Sequence, residues 1–167
     1  MITTYIGIDP GLTGGITVMV GKKITLLDIP TITEKVSNKI RNRYDVNALA
    51  DIFKEFPAGS SFAVLEKSTA MPGQGVTSMF SIGLGFGMYQ GILSMQRISY
   101  EIVHPKRWQK EFHIHTDTKS QAFQIASRLF PEAEMSTPRG RILTGRSDSI
   151  LMCEWARRKH TGTLEVK

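Results

Sequence analysis

The chain has 167 residues, 41% hydrophobic and 22% charged, which suits one folded domain and excludes a disordered chain. One cysteine, Cys153, excludes an internal disulfide, and the most apolar stretch, 76–95, holds four glycines with Ser78, Ser81, Gln90 and Ser94 and so falls short of the roughly 20 apolar residues of a membrane helix. The net charge of +6 is uneven, with 7 basic against 3 acidic side chains in residues 139–167, and a basic end on a folded domain attracts polyanions such as nucleic acid.

The opening MITTYIGIDPG lacks a basic segment before a long apolar run, so no signal peptide is expected. A soluble protein of a reducing cytoplasm follows. Residues 3–9 are β-branched and aromatic and end in Pro10-Gly11, which predicts a strand running into a turn. Residues 16–20 and 24–29, joined through Gly21-Lys22, predict two further strands of an antiparallel meander. Residues 31–44, with Lys35, Lys39, Arg41 and Arg43, read as a polar loop. Asp45 is placed to cap a helix bearing Val46, Leu49, Ile52, Phe53 and Phe56 on one face, stopped by Pro57. Residues 61–66 are a short apolar run ending in Glu66, as in a strand buried on both faces. Residues 76–95 predict a long helix, 98–103 a fifth strand, and 105–112, 118–130 and 148–160 three more helices. The meander followed by alternating strands and helices predicts an α/β fold, a mixed sheet flanked by helices. Residues 1–160 form one expected domain, with a short tail at 161–167.

Asp9 and Glu66 each stand at the C-terminal tip of an apolar strand, where open α/β sheets place ligands. On neighbouring parallel strands the two would lie side by side, and like charges that close call for a hard divalent cation. The plainer alternative is that each caps a turn or pairs with a lysine. Asp148 precedes an apolar helix and reads either as its cap or as a third oxygen ligand.

These residues carry a resemblance. Ile6-Gly7-Ile8-Asp9-Pro10-Gly11, the strand ending in Glu66, and Gly145-Arg146-Ser147-Asp148-Ser149-Ile150-Leu151 resemble the RuvC-type Holliday junction resolvases, especially phage-borne relatives. Val103-His104-Pro105, Lys119-Ser120-Gln121 and Leu129-Phe130-Pro131 extend the likeness over nearly the whole chain in the same order. The resemblance implies a ribonuclease H-like, five-stranded mixed sheet and a metal-dependent endonuclease of a bacterial or phage-infected cytoplasm. It implies two Mg²⁺ ions, with Mn²⁺ as a substitute, held by Asp9, Glu66 and Asp148 and activating water at a nick that leaves a 5′-phosphate and a 3′-hydroxyl. Many members place an Asp or His three residues before the last acid; here that position is Gly145.

Lys106, Arg107 and Lys110 follow the fifth strand, and Arg139, Arg141 and Arg146 lead to the last acid. They are candidate DNA contacts, as is Lys119, which is also placed to assist the charged transition state. In the segment 71–75, Met71 and Gln74 are candidates for contact at the junction centre, or members of a plain loop. Gly83, Gly87 and Gly91 line one helix face, which packs either on the protein's own sheet or, as the resemblance implies, across a homodimer. Trp108 and Trp155 read as core, and His113, His115 and Asp117 as a chance cluster.

The expected function is a homodimeric nuclease that resolves four-way junctions and other branched DNA by paired nicks. A junction-binding protein with weak or lost cleavage is the alternative, supported by Gly145. The residues Gly7 to Gly15 also resemble a nucleotide-binding hairpin, but the chain has no room for the second domain such proteins need. Nothing in the sequence identifies a helicase partner.

Overall fold

The computed structural model describes residues 1–36, 38–69 and 73–163. Strands β1 (Thr4–Asp9), β2 (Gly15–Val20) and β3 (Lys23–Asp28) make the expected antiparallel meander. Gly21 closes the second turn at a φ of 58°, where an L side chain is strained.

Residues 31–44 are not a loop. They form a separate two-stranded antiparallel ribbon, β4 (Thr31–Val36) and β5 (Lys39–Tyr44), turned at Asn38 with φ 61°. Threonines and isoleucines support the extended backbone. The ribbon escaped detection because the described side chains of 31–43 are all exposed, so no apolar face marks it.

Helix α1 (Val46–Lys54) follows, capped as expected by Asp45, whose side chain accepts from the Ala48 amide. Then come β6 (Ser61–Glu66), α2 (Val76–Met95), β7 (Ser99–Val103), α3 (Pro105–Glu111), α4 (Thr118–Leu129) and α5 (Thr144–Thr161). The main sheet is five-stranded in the order β3-β2-β1-β6-β7, with β6 parallel to β1 and β7 parallel to β6. Helices α1 and α2 cover one face over Ile6, Ile8, Leu49, Phe53 and Tyr89. The other face holds Tyr5, Val64, Trp108, Ile150 and Trp155 beneath α3 to α5.

Helix α5 begins at Thr144, a full turn before the expected start, because the amides of Arg146 and Ser147 already bond the Leu143 carbonyl. Asp148 is therefore a residue of the second turn and not a cap. No helix among the described residues is long and apolar enough to cross a membrane.

Candidate active site

Strand alternation aims the first two acids. Tyr5, Gly7 and Asp9 share one face of β1, and Phe62, Val64 and Glu66 share the same face of β6. That face is the one α5 covers, as Tyr5 and Val64 in its core show. Ile8 is in register with Leu65, so Asp9 and Glu66 end their strands as neighbours.

The third acid arrives because α5 lies very close to β1. A Cβ at Gly7 would stand 2.6 Å from the Cys153 nitrogen, so only glycine admits the helix at that height. Thr17 and Ser149 share a hydrogen bond of 2.8 Å, and the Cys153 thiol donates to the Tyr5 carbonyl. At the first turn of α5, Gly145 meets the Gly14-Gly15 turn: a Cβ on Gly15 would lie 2.7 Å from the Gly145 oxygen. A Cβ on Gly145 would likewise drive into the Gly14 backbone. The absent fourth ligand is thus also a packing requirement here, since the backbone occupies the space a side chain would need.

The three carboxylates sense one another. Burial, with the Asp9 charge behind it, lifts Glu66 to about 7 against the Trp108 hydrogen bond. Burial, then Asp9 and Glu66, lifts Asp148 to about 8, opposed by the nearby Lys119 ammonium. Burial also raises Asp9, whose carboxylate accepts from the Gly11 amide at 3.3 Å. Crowded acids of this kind favour either shared protons or a cation. The donor set, all carboxylate oxygen, fits a hard divalent ion. Among the described residues no group of three or more acids, histidines or cysteines is placed closely enough to hold a metal ion as it stands. A cleft of about 220 Å³ lined by Asp9, Pro10, Gly11, Ser68, Thr69 and Ile82 opens beside the first acid.

Three residues at this site escaped the sequence reading as functional. Trp108 is core, as expected, but its indole N–H also donates to Glu66 at 2.9 Å and fixes that carboxylate. A buried indole must find an acceptor, and a strand-tip acid nearby was the available signal. Tyr44, hidden in the supposed loop, donates to the Pro10 carbonyl at 2.9 Å. The buried Tyr89 hydroxyl has no hydrogen-bond partner among the described residues, and burial, with the neighbouring Tyr44 phenol and the Asp9 carboxylate, raises its pKa.

Of the basic candidates, only Lys119 is shown beside the acids, through its effect on Asp148. Lys106, Lys110, Arg139 and Arg141 are exposed on α3 and on the segment before α5. Arg107 pairs with Glu101 at 2.7 Å and lies over Trp155. Arg146 is held bidentately by Asp28 and also bonds the Glu134 carbonyl. Gln74 is half-buried just before α2, and Met71 lies outside the described residues. His113 and His115 have ring centres 6.5 Å apart and border a separate basin of about 690 Å³, on a part of the surface that includes none of the three acids.

The sequence matches no protein-family profile and no curated protein. The fold does match solved structures. One is RuvC of Thermus thermophilus in complex with a Holliday junction substrate, with a TM-score of 0.61, 14% identity, and 96% of this chain aligned to 97% of that one. Another is a T. thermophilus RuvC structure, with a TM-score of 0.55, 14% identity, and 95% and 97% of the two chains covered. The five-stranded mixed sheet and its flanking helices are the ribonuclease H-like fold of the RuvC Holliday junction resolvases.

Proposed function

We propose that the protein is a metal-dependent endonuclease that resolves four-way DNA junctions and cuts other branched DNA. The observation that supports this best is the convergence of Asp9, Glu66 and Asp148, three charge-coupled acids from two strand tips and one helix, in a RuvC fold. These residues would hold two Mg²⁺ ions, which when bound lower the pKa of a water nucleophile and stabilise the leaving 3′-oxygen. Trp108 holds the Glu66 carboxylate in one orientation. Lys119 places positive charge where the scissile phosphate gathers negative charge. Lys106, Lys110, Arg139 and Arg141 offer exposed cations to the phosphates of the arms.

A homodimer fits two symmetric nicks. The outward face of α2 supports it: Val76, Phe80 and Leu84 are exposed, and a Cβ at Gly83, Gly87 or Gly91 would meet nothing within 4 Å. Packing on the protein's own sheet is therefore not what those glycines serve. The glycine of this helix that does pack inward is Gly85, against the Tyr44 ring.

A second reading, junction binding with weak cleavage, draws on Gly145, which has neither a ligand side chain nor room for one. A synthetic four-way junction and a matched duplex, incubated with Mg²⁺, Mn²⁺ or chelator, separate the two. Paired, metal-dependent nicks on the junction, lost in Asp148→Asn, establish the nuclease. Tight junction binding without cutting in either metal establishes the alternative.

A further inference from the structure

The β4–β5 ribbon contributes almost nothing to the core, and that is its most informative property. A two-stranded ribbon exposed on both faces is marginal in water. Among the described residues this one is fastened at its base, where Tyr44 is buried and bonds Pro10, and the Asp45 amide closes on the Pro30 carbonyl at 2.9 Å. Pro10 directly follows Asp9, so the ribbon springs from the rim of the acidic site.

Its surface is patterned. Cross-strand partners share a face, and Ile32 opposes Arg43 while Glu34 opposes Arg41. Lys39, Arg41 and Arg43 therefore stand in a row on one face, about 7 Å apart at two residues per step. The ribbon carries four cations, Lys35 included, against Glu34 alone, in a chain whose net charge is +6. Arg43 makes a loose pair with Glu34 at 3.4 Å, and Lys35, Lys39 and Arg41 have no ion-pair partner among the described residues. Such density of like charge repels a second copy of the ribbon and attracts a polyanion. A two-stranded ribbon also has the width to lie along a duplex groove.

We infer that the ribbon is a duplex-gripping arm: Lys39, Arg41 and Arg43 bind the phosphate backbone of a DNA arm as it leaves the acidic site. This rests on the nuclease reading above and adds a contact region to it.

The test is binding of a fluorescent four-way junction in chelator, across a salt series, by wild type and two triple variants. Lys39→Ala/Arg41→Ala/Arg43→Ala is expected to bind about 10-fold or more weakly at 0.1 M salt and to lower the salt slope by about 2–3, near 0.9 per lost phosphate contact. The charge-keeping Lys39→Arg/Arg41→Lys/Arg43→Lys is expected to retain both. Unchanged affinity and slope in the alanine variant, with its Tm intact, overturns the inference, as does equal loss in both variants. A switch in oligomeric state on sedimentation of the alanine variant overturns it in favour of a contact between copies. Wild type that binds no nucleic acid at all ends the nuclease reading and the inference together, and is distinguished from the other outcomes by wild type alone.

Discussion

Helix α5 lies on the sheet backbone against backbone, whereas α2 turns three of its glycines to open space. On α5 and beneath it, Gly7, Gly15 and Gly145 are contact points where a single added carbon would strike main chain. On α2, the i, i+4 spacing of Gly83, Gly87 and Gly91 matches a packing stripe equally well, yet nothing among the described residues meets it. The spacing of glycines along a helix thus says that a backbone is bare. What it is bare for depends on the surface opposite, which for α5 is β1 and for α2 is open space among the described residues.

The largest expected effect breaks the α5 side. Gly145→Asp, which supplies the ligand that many resolvases carry, is expected to destabilise the protein by about 3 kcal/mol or more, lowering Tm by roughly 6–12 °C. It should also fail to raise junction cleavage. Thermal melts with and without Mg²⁺ check this; a stable, more active variant would show that α5 can lift off the Gly14-Gly15 turn.

Next comes the acid that this close approach delivers. Asp148→Asn is expected to cut cleavage by about 10³-fold or more, measured in single turnover. In chelator at pH 8 the same variant is expected to be more stable than wild type by about 1–2 kcal/mol, because one of three crowded charges is gone. The pH dependence follows the same sign. Glu66 at about 7 and Asp148 at about 8 keep protons that the unfolded chain releases near pH 4. Metal-free stability therefore falls as pH rises from about 4 to 8. Mg²⁺ added at pH 8 is expected to reverse the loss in wild type and to have much less effect in Asp148→Asn.

The α2 side gives a smaller, opposite signature. Alanines at positions 83, 87 and 91 are expected to stabilise the isolated subunit by up to ~1 kcal/mol each through helix propensity. If the face docks a second copy, the same substitutions weaken association about 10-fold or more, read by sedimentation at several concentrations. Stabilisation with unchanged association would remove the dimer from this face.

How much of this was legible follows from the range of the interactions. Residues 76–95 read as a helix despite four glycines because no proline or charge interrupts the run, and Asp45 reads as a cap because capping is local. Asp9 and Glu66 stood out because an acid ending an apolar strand conflicts with its neighbours. Gly145 read as a missing ligand because its contact, the Gly14-Gly15 turn, lies some 130 residues earlier in the chain. Trp108 looked like core, and is, but its partner Glu66 is 42 residues away. The ribbon was invisible for the reverse reason: its surroundings are water, and amphipathic patterning detects only elements that bury a face.

The smallest effect decides what holds the start of α5. Arg146, in its first turn, pairs with Asp28 at the end of β3, and the carboxylate is largely exposed. The Arg146 hydrogen bond, assisted by its charge, outweighs burial and holds Asp28 below the usual carboxylate range. The contribution is complete above the unfolded value near 3.9 and is lost as pH falls through the lower folded value. Asp28→Asn is therefore expected to cost under about 1 kcal/mol at pH 7, less in 1 M salt, and nothing at the acid end of the stable range. Melts of wild type and variant at pH 7 and pH 3 measure it. A cost equal to that of Gly145→Asp would mean that an ion pair, and not the bare backbone contact, seats α5 on the sheet, and the contrast with α2 would then rest on charge instead of glycine.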